Sequence, residues 1–234
     1  MHELEGRVAI VIGASSGIGR ATAELLAKEG ARVAVCSRSE DLLADLVAGH
    51  EGRMLAVAGD ASDLATIERL FSACESKLGH CDLLVNCAGA LEVARVVDMT
   101  VAQWETTFAV NARAIFFACR RALPSMIDRR VGTIVNVASI SGVRGPQKFP
   151  GFAAYCASKA AVIAFTEALA VEIGELGVRV NAVSPGSVDT AMWAEASGGA
   201  PAAMTPDEVA CAIVFLASDA SRPMNGQNLT LYSS

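Results

Sequence analysis

Tyr155 and Lys159 stand four residues apart in a stretch, Tyr155–Leu176, whose apolar residues recur at helical spacing. Side chains four apart on a helix share a face, so the pattern brings a phenol and an ammonium together. A phenol ionises near pH 10, about 3 units above the value that suits a general acid/base at neutral pH. A fixed ammonium beside it favours the phenolate. A shift of about 3 units corresponds to roughly 4 kcal/mol and requires shelter from solvent. Such a pair offers proton transfer to or from an oxygen, but alone it is also an ordinary surface contact on a helix. It needs company to mark a site.

That company begins near the N-terminus, where the apolar run Arg7–Ile12 leads into Gly13-Ala14-Ser15-Ser16-Gly17-Ile18-Gly19 and then directly into a helical pattern, Ile18–Glu29. Glycines at a strand-to-helix turn permit positive φ and let backbone N–H groups and a helix N-terminus approach a pyrophosphate. Turns of this kind also serve merely to pack a helix on a strand. Their position between the first strand and the first helix favours phosphate binding.

The elements that must position these groups alternate regularly. Arg7–Ile12, Arg32–Cys36, Arg53–Ala58, Leu83–Cys87, Gly132–Val137, Arg179–Ser184 and Asn228–Leu231 read as strands, several of them apolar on both faces, as in a parallel sheet covered by helices on both sides. Between them Ile18–Glu29, Ser39–Ala48, Leu64–Leu78, Ala112–Asp128, Tyr155–Leu176 and Pro206–Ala217 read as helices. The alternation predicts an α/β, doubly wound parallel sheet with ligands outside the carboxyl ends of its strands. Ala191–Met204, rich in small residues, reads as a mobile surface loop.

A chain of 234 residues with 53% apolar content suits a single domain spanning the whole length. Its net charge of −6 has the wrong sign for a protein that neutralises nucleic-acid phosphates. No apolar run approaches the roughly 18 residues that span a bilayer, and the N-terminus lacks a basic start and an apolar signal core, so a soluble, cytoplasmic protein without membrane or nucleic-acid partners is expected. Seven scattered cysteines, odd in number and without a Cys-x-x-Cys pair, argue against a disulfide framework or a metal site; Cys156, beside Tyr155, could border the site but reads as apolar filler. His2, His50 and His80 read as surface residues outside any catalytic motif, which leaves Ser139 without the base a hydrolase triad needs.

Taken together, Gly13-x-x-x-Gly17-x-Gly19, Asn86-Cys87-Ala88-Gly89, Asn111, Ser139 and Tyr155-x-x-x-Lys159 follow the order found in single-domain short-chain dehydrogenases/reductases. The chain resembles that family over nearly its whole length, through Asn181–Gly186 and Phe215–Ser218, and is most similar to 3-oxoacyl-carrier-protein reductases and carbonyl reductases. The resemblance implies a Rossmann-like fold and hydride exchange with a carbonyl or secondary alcohol. Tyr155 would donate a proton to the substrate oxygen, Ser139 would hydrogen-bond it, Lys159 would bind the nicotinamide ribose and lower the tyrosine pKa, and Asn111 would hold a water that replenishes the proton.

Cofactor contacts carry over in the same way: Gly13, Ser15, Ser16, Gly17, Ile18 and Gly19 to the pyrophosphate, and Asp60 with Ala61 to the adenine edge. Asn86, Ala88 and Gly89 would form the wall behind the adenosine, with Pro185, Gly186, Val188 and Thr190 around the nicotinamide amide. Members that prefer NAD usually carry an acidic residue where Ser37 stands; with Ser37 and the cation Arg38 instead, NADP(H) is expected over NAD(H). The rival to an enzyme is a catalytically silent NADP(H)-binding regulatory or scaffolding protein of the same fold. An extended-type epimerase would need a C-terminal substrate domain for which the chain has no room.

The resemblance also implies a homotetramer, or a homodimer, built on Ala112–Asp128 and Tyr155–Leu176. Four departures stand out: Cys87 where asparagine is usual, a short and lid-poor 191–205 segment, extra length around Pro146–Pro150 between Ser139 and Tyr155, and a C-terminus, Leu229–Ser234, without the usual glycines. Leu91, Val143, Phe149, Phe152, Met192 and Trp193 are the candidate substrate contacts, with Arg144 and Lys148 open to an anionic group or to solvent.

Overall fold

The computed structural model describes residues 4–50, 52–145 and 148–232; His2, Pro146 and the terminal Ser233-Ser234, which entered the expectations above, lie outside them. Strands β1 (Val8–Ile12), β2 (Arg32–Ser37), β3 (Met54–Ala58), β4 (Leu83–Asn86), β5 (Gly132–Val137), β6 (Val178–Pro185) and β7 (Asn228–Leu231) form one parallel sheet in the order β3-β2-β1-β4-β5-β6-β7. Their ends agree with the sequence pattern to within one or two residues.

Helices α1 (Gly17–Lys28), α2 (Glu40–Ala48), α3 (Leu64–Lys77), α4 (Val101–Phe108), α5 (Ala114–Arg129), α6 (Ala153–Ile173), α7 (Ala191–Ser197) and α8 (Pro206–Ala217) cover both faces. The uninterrupted apolar strands are thereby explained. In β1, Val8, Ile10 and Ile12 point into the core shared with α3, α5 and α6, whereas Ala9 and Val11 point into the core shared with α1, α2 and α8. A strand buried on both sides has no solvent face to mark with polar residues.

Three features depart from the sequence reading. Val101–Phe108 was given no helix, yet Thr100 and Gln103 form a reciprocal capping box that starts α4. Between α4 and α5 the chain widens into a π turn, Ala109–Arg113, centred on Asn111. Such turns leave the regular ladder and recur at functional sites.

The third departure corrects the mobile loop expected over Ala191–Met204. Its first half is α7, begun by the Thr190 hydroxyl accepting from Trp193 N and ended by Gly198 in the left-handed conformation. Its second half is tied back, with Trp193 Nε1 donating to Ala200 O at 2.9 Å and Asp189 N to Met204 O at 2.8 Å. Composition hid this because the cap and the indole bond are properties of single residues.

Candidate active site

The order of the strands reverses between β1 and β4, and a crevice opens there at their carboxyl ends. The turn after β1 is shaped by close contacts. Gly13 has φ +87, and a methyl there would come within 2.5 Å of Ala88 N; one at Gly19 would collide with the carbonyl of Gly13. These two glycines let the turn lie against the end of β4 and against itself. Ser16 caps α1 without using its hydroxyl, so the first-turn N–H groups find no side-chain acceptor from their cap. A helix N-terminus in this state favours an anion.

From this turn a cavity of about 530 Å³ extends along the strand ends, and Gly13, Ser15, Ser16, Gly17, Ile18 and Gly19 line its middle. At one end are Ser37, Arg38, Asp60 and Ala61. Arg38 is exposed there and has no ion-pair partner among the described residues. The Asp60 carboxyl lies below its ordinary range, chiefly because Ser62 N donates to it at 2.8 Å.

At the other end Ala88, Gly89, Ser139, Tyr155, Lys159, Pro185, Gly186, Val188 and Thr190 gather around the cavity. Ser139 follows β5, and its Oγ accepts from Ser141 N at 3.1 Å. Lys159 is buried, donates from Nζ to Val137 O at 2.8 Å and lies 5.9 Å from the centroid of the Tyr155 ring. Burial lowers the lysine to about 8, with Cys87 acting in the opposite sense. Burial holds the Tyr155 phenol above its ordinary value, and the Ser139 hydroxyl acts in the opposite sense.

Two asparagines do work that their sequence context did not show. Asn86 does not line the cavity. Its buried amide turns to the opposite side, donating to Asn136 Oδ1 at 2.8 Å, while Asn136 donates to Thr166 Oγ1 at 2.9 Å. Of the expected wall, Ala88 and Gly89 line the cavity, and Cys87 joins them where Asn86 does not. Asn111 also stands behind the cavity: Oδ1 accepts from Ala90 N at 2.7 Å, and Nδ2 donates to Ala90 O and to Ser158 Oγ, each at 2.9 Å. One lone pair of Oδ1 remains, and a Cβ on Gly89 would lie 3.7 Å from both Asn111 Oδ1 and Lys159 Nζ.

Among the expected substrate contacts Leu91, Phe149, Phe152, Met192 and Trp193 line the cavity; Val143 does not. Tyr232 was missed, although β7 had to end beside Pro185-Gly186 if it paired with β6. Lys148 and Arg144 are exposed and outside the cavity wall, and the Lys148 ammonium donates to the carbonyls of Ser141 and Val143. Cys156 stays out of the cavity wall, as do His50 and His80. No cluster of metal-ligating residues occurs among the described residues, and no described helix is long and apolar enough to cross a membrane.

Residues 7–201 match the family model for short chain dehydrogenase. The chain belongs to that family. Among curated relatives it is 36% identical to D-threitol dehydrogenase of Mycolicibacterium smegmatis, over 97% of this chain and 92% of the relative. It is 38% identical to the 3-oxoacyl-[acyl-carrier-protein] reductase of Thermotoga maritima, over 96% and 95%. Levodione reductase has the same structure with a TM-score of 0.90 at 26% identity, covering 97% of this chain and 96% of that one. As a short-chain dehydrogenase the protein is an oxidoreductase that binds a nicotinamide cofactor. The glycine cradle and the capless start of α1 fit the pyrophosphate of such a group.

The buried lysine predicts a pH signature. Unfolded, Lys159 keeps its proton to about 10.5; folded, only to about 8. Between these values the unfolded chain binds more protons, so stability rises with pH, and the cost of burying the charge is felt in full below the folded value. The unfolding free energy of the native protein relative to Lys159→Met should therefore rise by at most about 3 kcal/mol across that window. Urea titrations of both proteins at several pH values measure this; a pH-independent difference would contradict it.

Proposed function

We propose that this short-chain dehydrogenase transfers a hydride between NADP(H) and a carbonyl or secondary alcohol, with Tyr155 as general acid/base. The observation that carries the reading is the convergence of Ser139, Tyr155 and Lys159 at one end of a cavity whose middle is a helix N-terminus and glycine cradle. A bound dihydronicotinamide supplies the hydride. In the reducing direction the Tyr155 hydroxyl gives its proton to the substrate oxygen as the C=O π bond opens and the carbon accepts the hydride. Burial keeps the phenol protonated before transfer, and lowering its pKa toward neutrality for the transfer is the part proposed for the Lys159 ammonium beside it.

Ser139 orients the same oxygen, and Lys159 presents its ammonium to the ribose hydroxyls. Asn111 has one free acceptor position facing the Gly89–Lys159 side, which suits a water that returns the proton. Asp60, Ala61 and the Cys87–Gly89 wall hold the adenosine; Pro185, Gly186, Val188 and Thr190 hold the amide. The protein works in the cytoplasm, a setting that suits its seven free thiols.

Tyr155→Phe should lower kcat at least about a hundredfold while NADPH affinity stays within about twofold, because only the transferred proton is removed. Stopped-flow turnover and fluorescence titration separate the two effects; near-normal kcat would exclude the assigned role.

Arg38 carries the cofactor preference. Its unpaired guanidinium beside Ser37 can meet a 2′-phosphate by charge-assisted bonds. Arg38→Gln should weaken NADPH binding about tenfold or more and leave NADH nearly unaffected. Calorimetric titration with both cofactors decides this, and tighter NADH binding by the native protein would overturn it.

A second copy of the chain covers the apolar groove lined by Phe108, Phe116 and Phe165, as part of a homotetramer. Phe116, Val101 and Val171 lie exposed on α5, α4 and α6, more apolar surface than isolated helices tend to leave to water. Light scattering at micromolar concentration should give four chains, and a monomer would exclude the assembly.

A further inference from the structure

The substrate end of the cavity has an unusual division of charge. Only three charged side chains line the whole cavity among the described residues: Arg38, Asp60 and Lys159. The first two stand at the far end, beside the β2 and β3 termini, and the third is buried against Val137 O. Lys148 and Arg144, the cations of the loop before Phe149, do not line the cavity, and the Lys148 ammonium donates to two loop carbonyls. A carboxylate or phosphate on the substrate would find no charged side chain in the wall of this end other than Lys159; its polar side chains are otherwise hydroxyls, those of Ser139, Ser141, Ser187 and Thr190 among them.

What the substrate end offers instead is aromatic. Phe149, Phe152 and Tyr155 form a ladder with centroids 5.4 Å and then 6.1 Å apart, the second step edge-to-face. The ladder runs from the proton donor to Phe149, which remains 47% exposed and has an open face. Leu91, Met192 and Trp193 also line the cavity, and Tyr232 stands at the β7 end. Rings prefer offset or edge-on partners at these distances, and thioethers pack well on ring edges.

We propose that the substrate is an uncharged ketone, or the matching secondary alcohol, whose reacting carbon is in or next to an apolar ring, and that Phe149 determines this specificity. The inference rests on the redox reading above. It sets the chain apart from any member of its family whose substrate is a sugar acid, because burying such a molecule here would leave its charge unpaired.

The test uses a matched series: cyclohexanone and acetophenone as ring ketones, butanone as a small ketone, a four-carbon ketose, and a keto acid, each with NADPH. Ring ketones should have kcat/KM at least tenfold above the ketose and the keto acid. Phe149→Ala should narrow the ratio of acetophenone to butanone in kcat/KM about tenfold, chiefly through KM. Calorimetry of the same ketones with the NADP⁺-bound protein, where no hydride can move, reads ligand class separately from chemistry. Ring binding without turnover would overturn the redox assignment and retain the ligand class. Preferred binding or turnover of the ketose or keto acid, or an unchanged ratio in Phe149→Ala, would overturn the proposal.

Discussion

The contact between Gly13 and Ala88 sets the floor of the site. Two chain segments, one leaving β1 and one leaving β4, approach so closely that even a methyl group could not stand between them. Because β1 and β4 are neighbours at the point where the sheet reverses direction, this approach decides where α1 begins and where Gly89 lies. The helix N-terminus then faces the cavity's middle, and Lys159 and Asn111 flank Gly89 from behind. A larger residue at Gly13 would displace the phosphate cradle and the reacting end together.

Behind that floor the protein maintains a set of buried polar groups. Asn86, Asn136 and Thr166 form one chain of hydrogen bonds; Asn111, Ala90 and Ser158 form another. Ser158 also donates to the carbonyl of Tyr155, so the second chain reaches the turn of α6 that carries the phenol. Buried polar groups are costly unless satisfied, and when satisfied they admit few alternative arrangements. They fix α5 and α6 against the sheet with more precision than apolar packing alone. Among the described residues Asn86 Oδ1 has no hydrogen-bond partner, and the Thr22 hydroxyl lies beside the Cys87 thiol.

Charge and apolar surface are separated along the cavity. Arg38 and Asp60 stand at one end, the neutral N–H groups of α1 at the centre, and aromatic rings at the other end. Burial is the chief cause of the upward Tyr155 shift, opposed by the Ser139 hydroxyl.

Much of this architecture was legible in the residues themselves. Strand and helix order follow from periodicity, which is a local property, and the glycine turn and the Tyr155–Lys159 spacing are local too. The sequence by itself therefore determined the doubly wound sheet, the cradle after β1 and the helical face that holds the phenol and the ammonium. Only the tertiary structure decided that Asn86 lies outside the cavity wall, that Tyr232 enters it, that Lys148 donates to loop carbonyls and that Thr190 starts a helix where a loose loop was expected. These outcomes depend on which residues distant in the chain come to share a boundary with water, and a side chain's partners and desolvation are set by that boundary, not by its neighbours in sequence.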